Sequence, residues 1–222
     1  KTWDEFFALG DKAKADGRSL FAYPTAGYFD SVMPPMLASS AGLEGFNKAL
    51  NYEEGFWTSE EATRVLETFE KLKDYTEPSV VANANGDNFK KNQQLILDNK
   101  ALFLPNGDWL PGEMADAPRA NGFEWGFTAY PAYEEGGDMY SYNYFEQMYI
   151  PAEASNIKLA EEFMAYLYSD EAVGIIAELG KSVVPVEGAV EIARKYLDEL
   201  QIQMLSIYEN GAKPVMGTVS YT

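Results

Sequence analysis

The stretch Ala101–Met114 constrains the fold most, because an apolar run, a glycine turn and a helix follow one another within it. Residues 101–104 have the length of a buried strand. A Pro-Asn-Gly turn breaks the run, and Asp108 can cap a helix that begins at Trp109. Ligands of open α/β sheets bind at the carboxyl ends of the strands. The stretch therefore predicts a strand–turn–helix unit whose large aromatic residue either faces a ligand or packs in the core.

Amphipathic helices and short apolar runs alternate along the remaining chain. A capping box of Thr2 and Glu5 predicts a first helix that ends at Gly17. A second box, with Thr58 as its cap, precedes residues 62–72, whose apolar positions recur at helical spacing. Strands are predicted at Ser19–Tyr23, Ala101–Leu104, Phe123–Tyr130 and Met139–Ile150, further helices at Asn88–Leu97, Lys158–Tyr168 and Gly188–Tyr208, and an irregular tail at Gly211–Thr222. This alternation predicts an α/β fold.

The composition limits which functions the chain can carry. Its 222 residues make one large domain or two modest ones, and a net charge of -18 repels nucleic acid and anionic membranes. The chain has no Cys and no His, which excludes disulfides, thiolate metal sites and histidine catalysis. No apolar run approaches the ~20 residues of a membrane helix. Because Lys1 is not an initiator Met and no signal peptide is present, we expect the chain to begin after processing or as a cut piece.

Aromatic residues near the ends of predicted strands are the strongest candidates for a site. Sugars offer apolar C–H faces that stack on aromatic rings, and hydroxyls that bind carboxylates and amides. The aromatic candidates are Tyr28, Phe29, Trp109 and the row Tyr140, Tyr142 and Tyr144, and their polar neighbours are Asp30, Asn106, Asp108, Asn143 and Glu146. Together they favour a carbohydrate site, whereas each tyrosine taken alone favours the core or a rim.

Other functions stay open from the residues alone. Paired carboxylates hydrolyse glycosides, and Asp108, Glu113 and Glu146 lie near aromatic residues, although surface or capping carboxylates fit the same positions. Asn83–Asp87 is similar to the start of a calcium loop, but its spacing does not continue to the final Glu, which favours a solvated loop. A protein-interaction module using exposed apolar helices is a further alternative. We predict no catalytic residue, no metal site and no cofactor.

Several stretches resemble, in the same order, the extracellular sugar-binding proteins of bacterial ABC transporters, solute-binding protein family 1 of the maltose-binding-protein type. These stretches are Lys1–Phe6 with its Thr-Trp-Asp-Glu helix start, Trp57–Glu61, Phe89 through Trp109, Tyr130-Pro131, and Ile150 through Glu171. One departure is Asn99-Lys100, which stands where the family pattern usually has a Gly. The shared order covers nearly the whole chain.

The resemblance implies a periplasmic-binding-protein-like fold of class II, with two α/β lobes around a sugar-binding cleft. Residues 1–143 would be the core of the second lobe, and the amino-terminal lobe would be missing. Residues 144–208 would supply a crossing strand and helices that pack on the missing lobe, and 209–222 would cross back. The helices at 158–179 would then carry apolar faces meant for a partner.

The resemblance also implies the function. The protein would capture a mono- or oligosaccharide for an ABC importer, without chemistry, and deliver it to permease subunits. It would be extracellular or periplasmic, reaching the membrane only through a lipoprotein anchor absent from this chain. Trp109 matches the sugar-stacking Trp of the family, Tyr28 and Phe29 match an aromatic position, and Tyr144 and Glu146 match a crossing strand. The stretch from Asn106 to Met114 also resembles the branch that binds N-acetylglucosamine or chitobiose. The ligand-binding residues predicted in all are Trp109, Asp108, Asn106, Tyr28, Phe29, Asp30, Tyr144 and Glu146.

Overall fold

Helices and short parallel strands alternate along the chain, as the predicted α/β class requires. The structure, a computed structural model, describes residues 1–144, 148–184 and 186–216, except for the side chains of Phe29, Asp30 and Asp87. The helices are α1 (Trp3–Ala15), α2 (Phe29–Leu50), α3 (Glu60–Lys73), α4 (Phe89–Leu97), α5 (Leu110–Glu113), α6 (Ile157–Tyr166), α7 (Asp170–Gly180), α8 (Ala189–Ala193) and α9 (Glu199–Glu209). The strands are β1 (Ser19–Phe21), β2 (Ala101–Phe103), β3 (Tyr140–Tyr142) and β4 (Lys213–Val215).

The chain divides into two compact units. Unit 1 comprises Lys1–Tyr144 together with Ile207–Thr222, and unit 2 comprises Phe145–Ser206. The predicted boundaries at 143 and 208 concern the lobes of a larger protein, and they remain predictions. The two units show only which residues of this chain pack together.

A parallel strand pair lies at the centre of unit 1. Ser19 of β1 pairs with Ala101 of β2, and Phe21 pairs with Phe103. On the other side of β1, a single parallel bridge joins Phe21 to Thr76, after the end of α3. Parallel strands need both faces covered, and the apolar residues of β1 are accordingly buried among those of α1, α2 and α4.

Local sequence signals account for the ends of several helices. The side chain of Thr2 accepts from the backbone of Glu5, and the Glu5 carboxylate accepts from the backbone N–H of Thr2, so the predicted capping box is present. The cap of α3 is Ser59, one residue later than the predicted Thr58. Ser59 fits better because its side chain accepts the N–H of Ala62, in the first turn.

Several predicted segments differ in the structure. The helix predicted at Gly188–Tyr208 is two helices, α8 and α9, and within the described part of Met139–Ile150 the strand covers Tyr140–Tyr142. Phe123–Tyr130, predicted as a strand, is irregular. Its rings pack against the core of unit 1, with Phe123 and Trp125 edge to face at 5.0 Å, so aromatic burial rather than strand pairing explains the pattern. The predicted irregular tail contains β4, which pairs in parallel with β3. Its pairing depends on a partner far away in the sequence, which local composition does not indicate.

Unit 2 buries few large side chains. Its central cluster consists of Ala177, Ala193 and Leu197, with partly buried neighbours around it. Helix α6 has no buried residue, and Leu159 and Phe163 on it are each 58% exposed. The apolar positions of this helix therefore lie at the surface of unit 2.

Candidate functional site

A cleft of about 220 Å³ opens in unit 1 beyond the carboxyl ends of β1 and β2. The segment after β1 supplies one side of it, the turn and helix after β2 supply another, and α4 supplies the third. This is the end of a parallel sheet at which open α/β proteins bind ligands. The lining residues are Pro24, Thr25, Tyr28, Phe89, Gln93, Trp109 and Glu113.

Trp109 presents its indole to this cleft because the turn before it is compact. The ring folds back over Gly107, where a Cβ atom would lie only 2.0 Å from the Trp109 ring. Only glycine leaves room for this close approach. Trp109, not Asp108, is the N-cap residue of α5, and no side-chain capping bond forms there, so the predicted capping role of Asp108 is wrong. The indole remains 49% exposed, which leaves much of its surface free for a ligand.

Tyr28 faces the same cleft from the segment that leads into α2. Burial raises the pKa of its hydroxyl, the negative charge of Glu113 raises it further, and a hydrogen bond with the Trp109 side chain lowers it. An indole N–H can only donate, so the Tyr28 oxygen is the acceptor in this interaction. Two aromatic residues and a carboxylate therefore act on one another electrostatically at this site.

Two buried amide side chains of α4 form hydrogen bonds to groups at the cleft. Gln93 is 1% exposed, and its Nε2 donates to Oε2 of Glu113 at 2.9 Å. Asn92 is fully buried, and its Nδ2 donates to the carbonyls of Pro24 at 3.1 Å and Val80 at 3.0 Å. Asn92 thus fixes the backbone at Pro24, while Gln93 fixes a side chain of the cleft.

Two predicted ligand residues lie beside the cleft without lining it. The Asn106 side chain turns to its own backbone, with Oδ1 accepting the N–H of Gly107 at 2.8 Å. Asp108 is an exposed residue, yet partial desolvation of its carboxyl raises its pKa, against backbone hydrogen bonds from Asp108 and Trp109 that lower it. Among the described side chains, the cleft brings together Tyr28 and Trp109 of the predicted set.

The ligand-binding roles of all the predicted residues remain predictions. Tyr144 is 66% exposed at the end of unit 1. Glu146 lies outside the described residues, and so do the side chains of Phe29 and Asp30.

The cleft contains residues that were not in the predicted ligand set. The sequence indicates Glu113 only as a possible hydrolytic carboxylate and as part of the stretch that resembles chitobiose binders. The sequence pattern predicts no ligand contact for Thr25, Phe89 or Gln93. Phe89 and Gln93 are four residues apart on α4, so they share a face of the helix. A glutamine among the buried positions of a short helix is unusual, and this signal could have identified Gln93 as a site residue.

The described residues offer no cluster of three or more acidic side chains that could hold a metal ion. Within the same part of the chain, no helix is both long and apolar enough to cross a bilayer. Unit 2 has a cavity of its own, of about 410 Å³, lined by residues including Met148, Ile150, Phe163 and Met164. This second cavity is almost entirely apolar and lacks the carboxylate and amide groups of the cleft in unit 1.

The chain belongs to a family of binding proteins. The sequence profile of the bacterial extracellular solute-binding proteins matches residues 1–196, which is most of the chain. Members of this family are components of transport and not a class of enzymes.

Individual relatives support the same family. The chain is 32% identical over 127 residues to the diacetylchitobiose binding protein NgcE of Streptomyces coelicolor, covering 54% of this chain and 26% of NgcE. It is 28% identical over 166 residues to a probable sugar-binding periplasmic protein of Mesorhizobium japonicum, covering 72% of this chain and 38% of that protein. The chain therefore spans well under half the length of these relatives.

Solved structures share the fold. RafE from Streptococcus pneumoniae in its apo form superposes with a TM-score of 0.64 at 16% identity, covering 97% of this chain and 55% of that one. The bacterial solute receptor AcbH, which has an exclusive substrate preference for β-D-galactopyranose, superposes with a TM-score of 0.56 at 17% identity, covering 98% of this chain and 53% of that one. At these identities the likeness concerns the fold alone.

Proposed function

We propose that this chain is the carboxyl-side lobe of an extracellular sugar-binding receptor of an ABC importer. The receptor captures a mono- or oligosaccharide in a cleft between this lobe and a first lobe formed by residues outside this chain. The observation that carries the proposal is the cleft of unit 1, where Tyr28 and Trp109 meet the carboxylate of Glu113 at the carboxyl ends of parallel strands.

The chemistry of this cleft suits a sugar. The half-exposed indole of Trp109 offers a flat apolar surface for the C–H face of a pyranose. Glu113 accepts hydrogen bonds from ring hydroxyls, and Tyr28 and Thr25 both donate and accept them. A few polar groups around an aromatic surface are typical of sites that bind a small ligand in a fixed orientation.

The relatives support this choice of ligand class. One is named for binding diacetylchitobiose and another for binding sugar. N-acetylglucosamine oligosaccharides are accordingly the first candidates. Closure of two lobes around the sugar would hand it to permease subunits, and a lipid anchor or periplasmic confinement would keep the receptor at the cell surface.

Calorimetry of the full-length protein against a panel of glycans tests the proposal. We expect binding of at least one neutral glycan, with Trp109→Ala weakening it about 10–100-fold, because the stacking surface is lost. Trp57→Ala is the matched control, since Trp57 is also partly exposed on unit 1 but does not line the cleft.

Unchanged affinity in Trp109→Ala would overturn the assignment of the cleft. Release of monosaccharide from chitobiose or maltose during the same titrations would instead favour the glycoside hydrolase. Self-association in dilute solution, with no glycan bound, would favour a protein-interaction module.

A further inference from the structure

The cleft holds one carboxylate in a fixed place. Glu113 ends the short helix α5 and reaches the cleft, where the buried amide of Gln93 donates to it at 2.9 Å. An ionised carboxylate has about four acceptor positions, and this bond occupies one of them. The others remain available to hydroxyl groups of a ligand. The hydrogen bond from Gln93 therefore favours one orientation of the Glu113 carboxylate, on a residue that is otherwise exposed.

The orientation of Gln93 follows from the charge of its partner. Rotating the amide by half a turn would bring its oxygen against the carboxylate, so Nε2 must face Glu113. Its Oε1 then lies buried with no hydrogen-bond partner among the described residues. An unpaired buried amide oxygen costs free energy, and packing alone would favour an apolar side chain at this position. The glutamine is thus better explained by what it does to Glu113 than by the stability of α4.

The charges at the cleft discriminate between ligands. Of the residues that line it in the described part of the chain, Glu113 is the charged one, and no Lys or Arg accompanies it. The chain as a whole carries a net charge of -18. A second carboxylate brought by a ligand would lie beside Glu113 without a counter-charge, and such like-charge contacts reject a ligand.

We propose that Glu113, held in place by Gln93, is the residue that selects neutral sugars over acidic sugars at this cleft. Glu113 accepts hydroxyl hydrogen bonds from the ring that stacks on Trp109, and it repels uronic acids. Gln93 is a positioning residue that acts through Glu113. The inference rests on the proposed sugar-binding function and adds the specificity of the same site.

The test measures the affinity of the full-length protein for three neutral disaccharides, N,N′-diacetylchitobiose, maltose and lactose, and for their derivatives oxidised to carboxylates at C6. In the wild type we expect at least one neutral disaccharide to bind at least tenfold more tightly than its acidic counterpart. Glu113→Gln keeps the shape of the side chain but removes its charge. It should weaken the binding of the neutral sugar about tenfold and reduce the preference for the neutral over the acidic sugar to less than threefold. Glu67→Gln on α3 makes the same charge change on an exposed residue outside the cleft and should alter neither value.

Gln93→Met separates positioning from structural support, because it keeps the bulk of the side chain and removes both amide atoms. We expect an unchanged or higher thermal midpoint together with affinity at least fivefold weaker. A lower midpoint with unchanged affinity would mean that Gln93 is structural and would overturn its assigned role. Unchanged preference in Glu113→Gln would overturn the specificity, whereas a wild type that binds no disaccharide of either set would count against the proposed function itself.

Discussion

The two units of this chain bury their apolar side chains to very different extents. In unit 1 a continuous core joins α1, α2, α3, α4 and the strands, and residues such as Leu20 and Met36 are fully buried. In unit 2 the buried cluster is centred on two alanines and Leu197. Large apolar residues of α6 and α7 are exposed instead, with Leu179 at 79%.

This difference determines where a precise site can be built. A ligand site needs side chains whose positions are fixed by packing, and the elements around the cleft in unit 1 belong to its core. A segment with few buried apolar groups opens locally at low free energy. We therefore expect the units to differ in stability, and the following changes test this difference.

Matched leucine truncations should give the largest contrast. Leu20→Ala removes a fully buried side chain of β1 and should lower the free energy of unfolding by about 2–5 kcal/mol. Leu159→Ala makes the same deletion on α6, where the side chain is 58% exposed. This variant should change the free energy of unfolding by less than about 0.5 kcal/mol. Urea unfolding followed by circular dichroism measures both. Equal losses would contradict the contrast between the units.

Overpacking tests how tightly the core of unit 1 is filled. A Cβ atom on Gly10 would lie 2.4 Å from the Tyr75 ring and 2.9 Å from Leu20, so Gly10→Ala should cost about 1–3 kcal/mol. Gly126→Ala is the control, because nothing lies within 4 Å of its Cβ position. Thermal unfolding measures both variants, and a neutral Gly10→Ala would show that this core can relax.

Most of the helical framework could be predicted from the sequence, because its signals are local. The capping box at Thr2 and the apolar spacing of residues 62–72 each lie within one helix, and both helices are present. Strand partners are not local. Phe123–Tyr130 has the aromatic pattern of a strand but packs as an irregular segment, whereas β4 forms only because β3 lies beside it.

The candidate site was predictable to a similar degree. Trp109 could be identified because a strand, a glycine turn and a helix follow one another around it, and it does line a cleft. Gln93 could not be identified in this way, because its role depends on a carboxylate twenty residues away in the sequence that α5 brings within 2.9 Å. For Asp108 the prediction was wrong, because its position in the sequence suggests a helix cap but Trp109 occupies the N-cap position.

The pH dependence of stability should reveal a buried hydroxyl in unit 1. Burial raises the pKa of Tyr133 to about 12, although Thr68 and the charge of Arg64 lower it. Above pH ~10 the unfolded chain releases this proton while the folded chain keeps it, so stability falls between pH ~10 and about 12 by at most ~1.4 kcal/mol per pH unit. In urea unfolding, the stability of Tyr133→Phe should fall less steeply with pH over this range than the stability of the wild type. An equal flattening in Tyr168→Phe, on unit 2, would contradict the assignment.

Helix caps of the same chemistry should have the smallest effects and report on each unit separately. Ser59 accepts the N–H of Ala62 at 3.2 Å to cap α3, and Ser169 accepts that of Ala172 at 3.3 Å to cap α7. Because α3 belongs to the core of unit 1, Ser59→Ala should lower global stability by about 1 kcal/mol. Ser169→Ala should instead speed hydrogen exchange in α7 alone, because we expect unit 2, with its small buried core, to open before global unfolding. Ser59→Asp and Ser169→Asp keep a capping acceptor. They should restore, respectively, the global stability and the slow hydrogen exchange of α7. An equal loss of global stability in both alanine variants would mean that the two units unfold together, however unequal their cores.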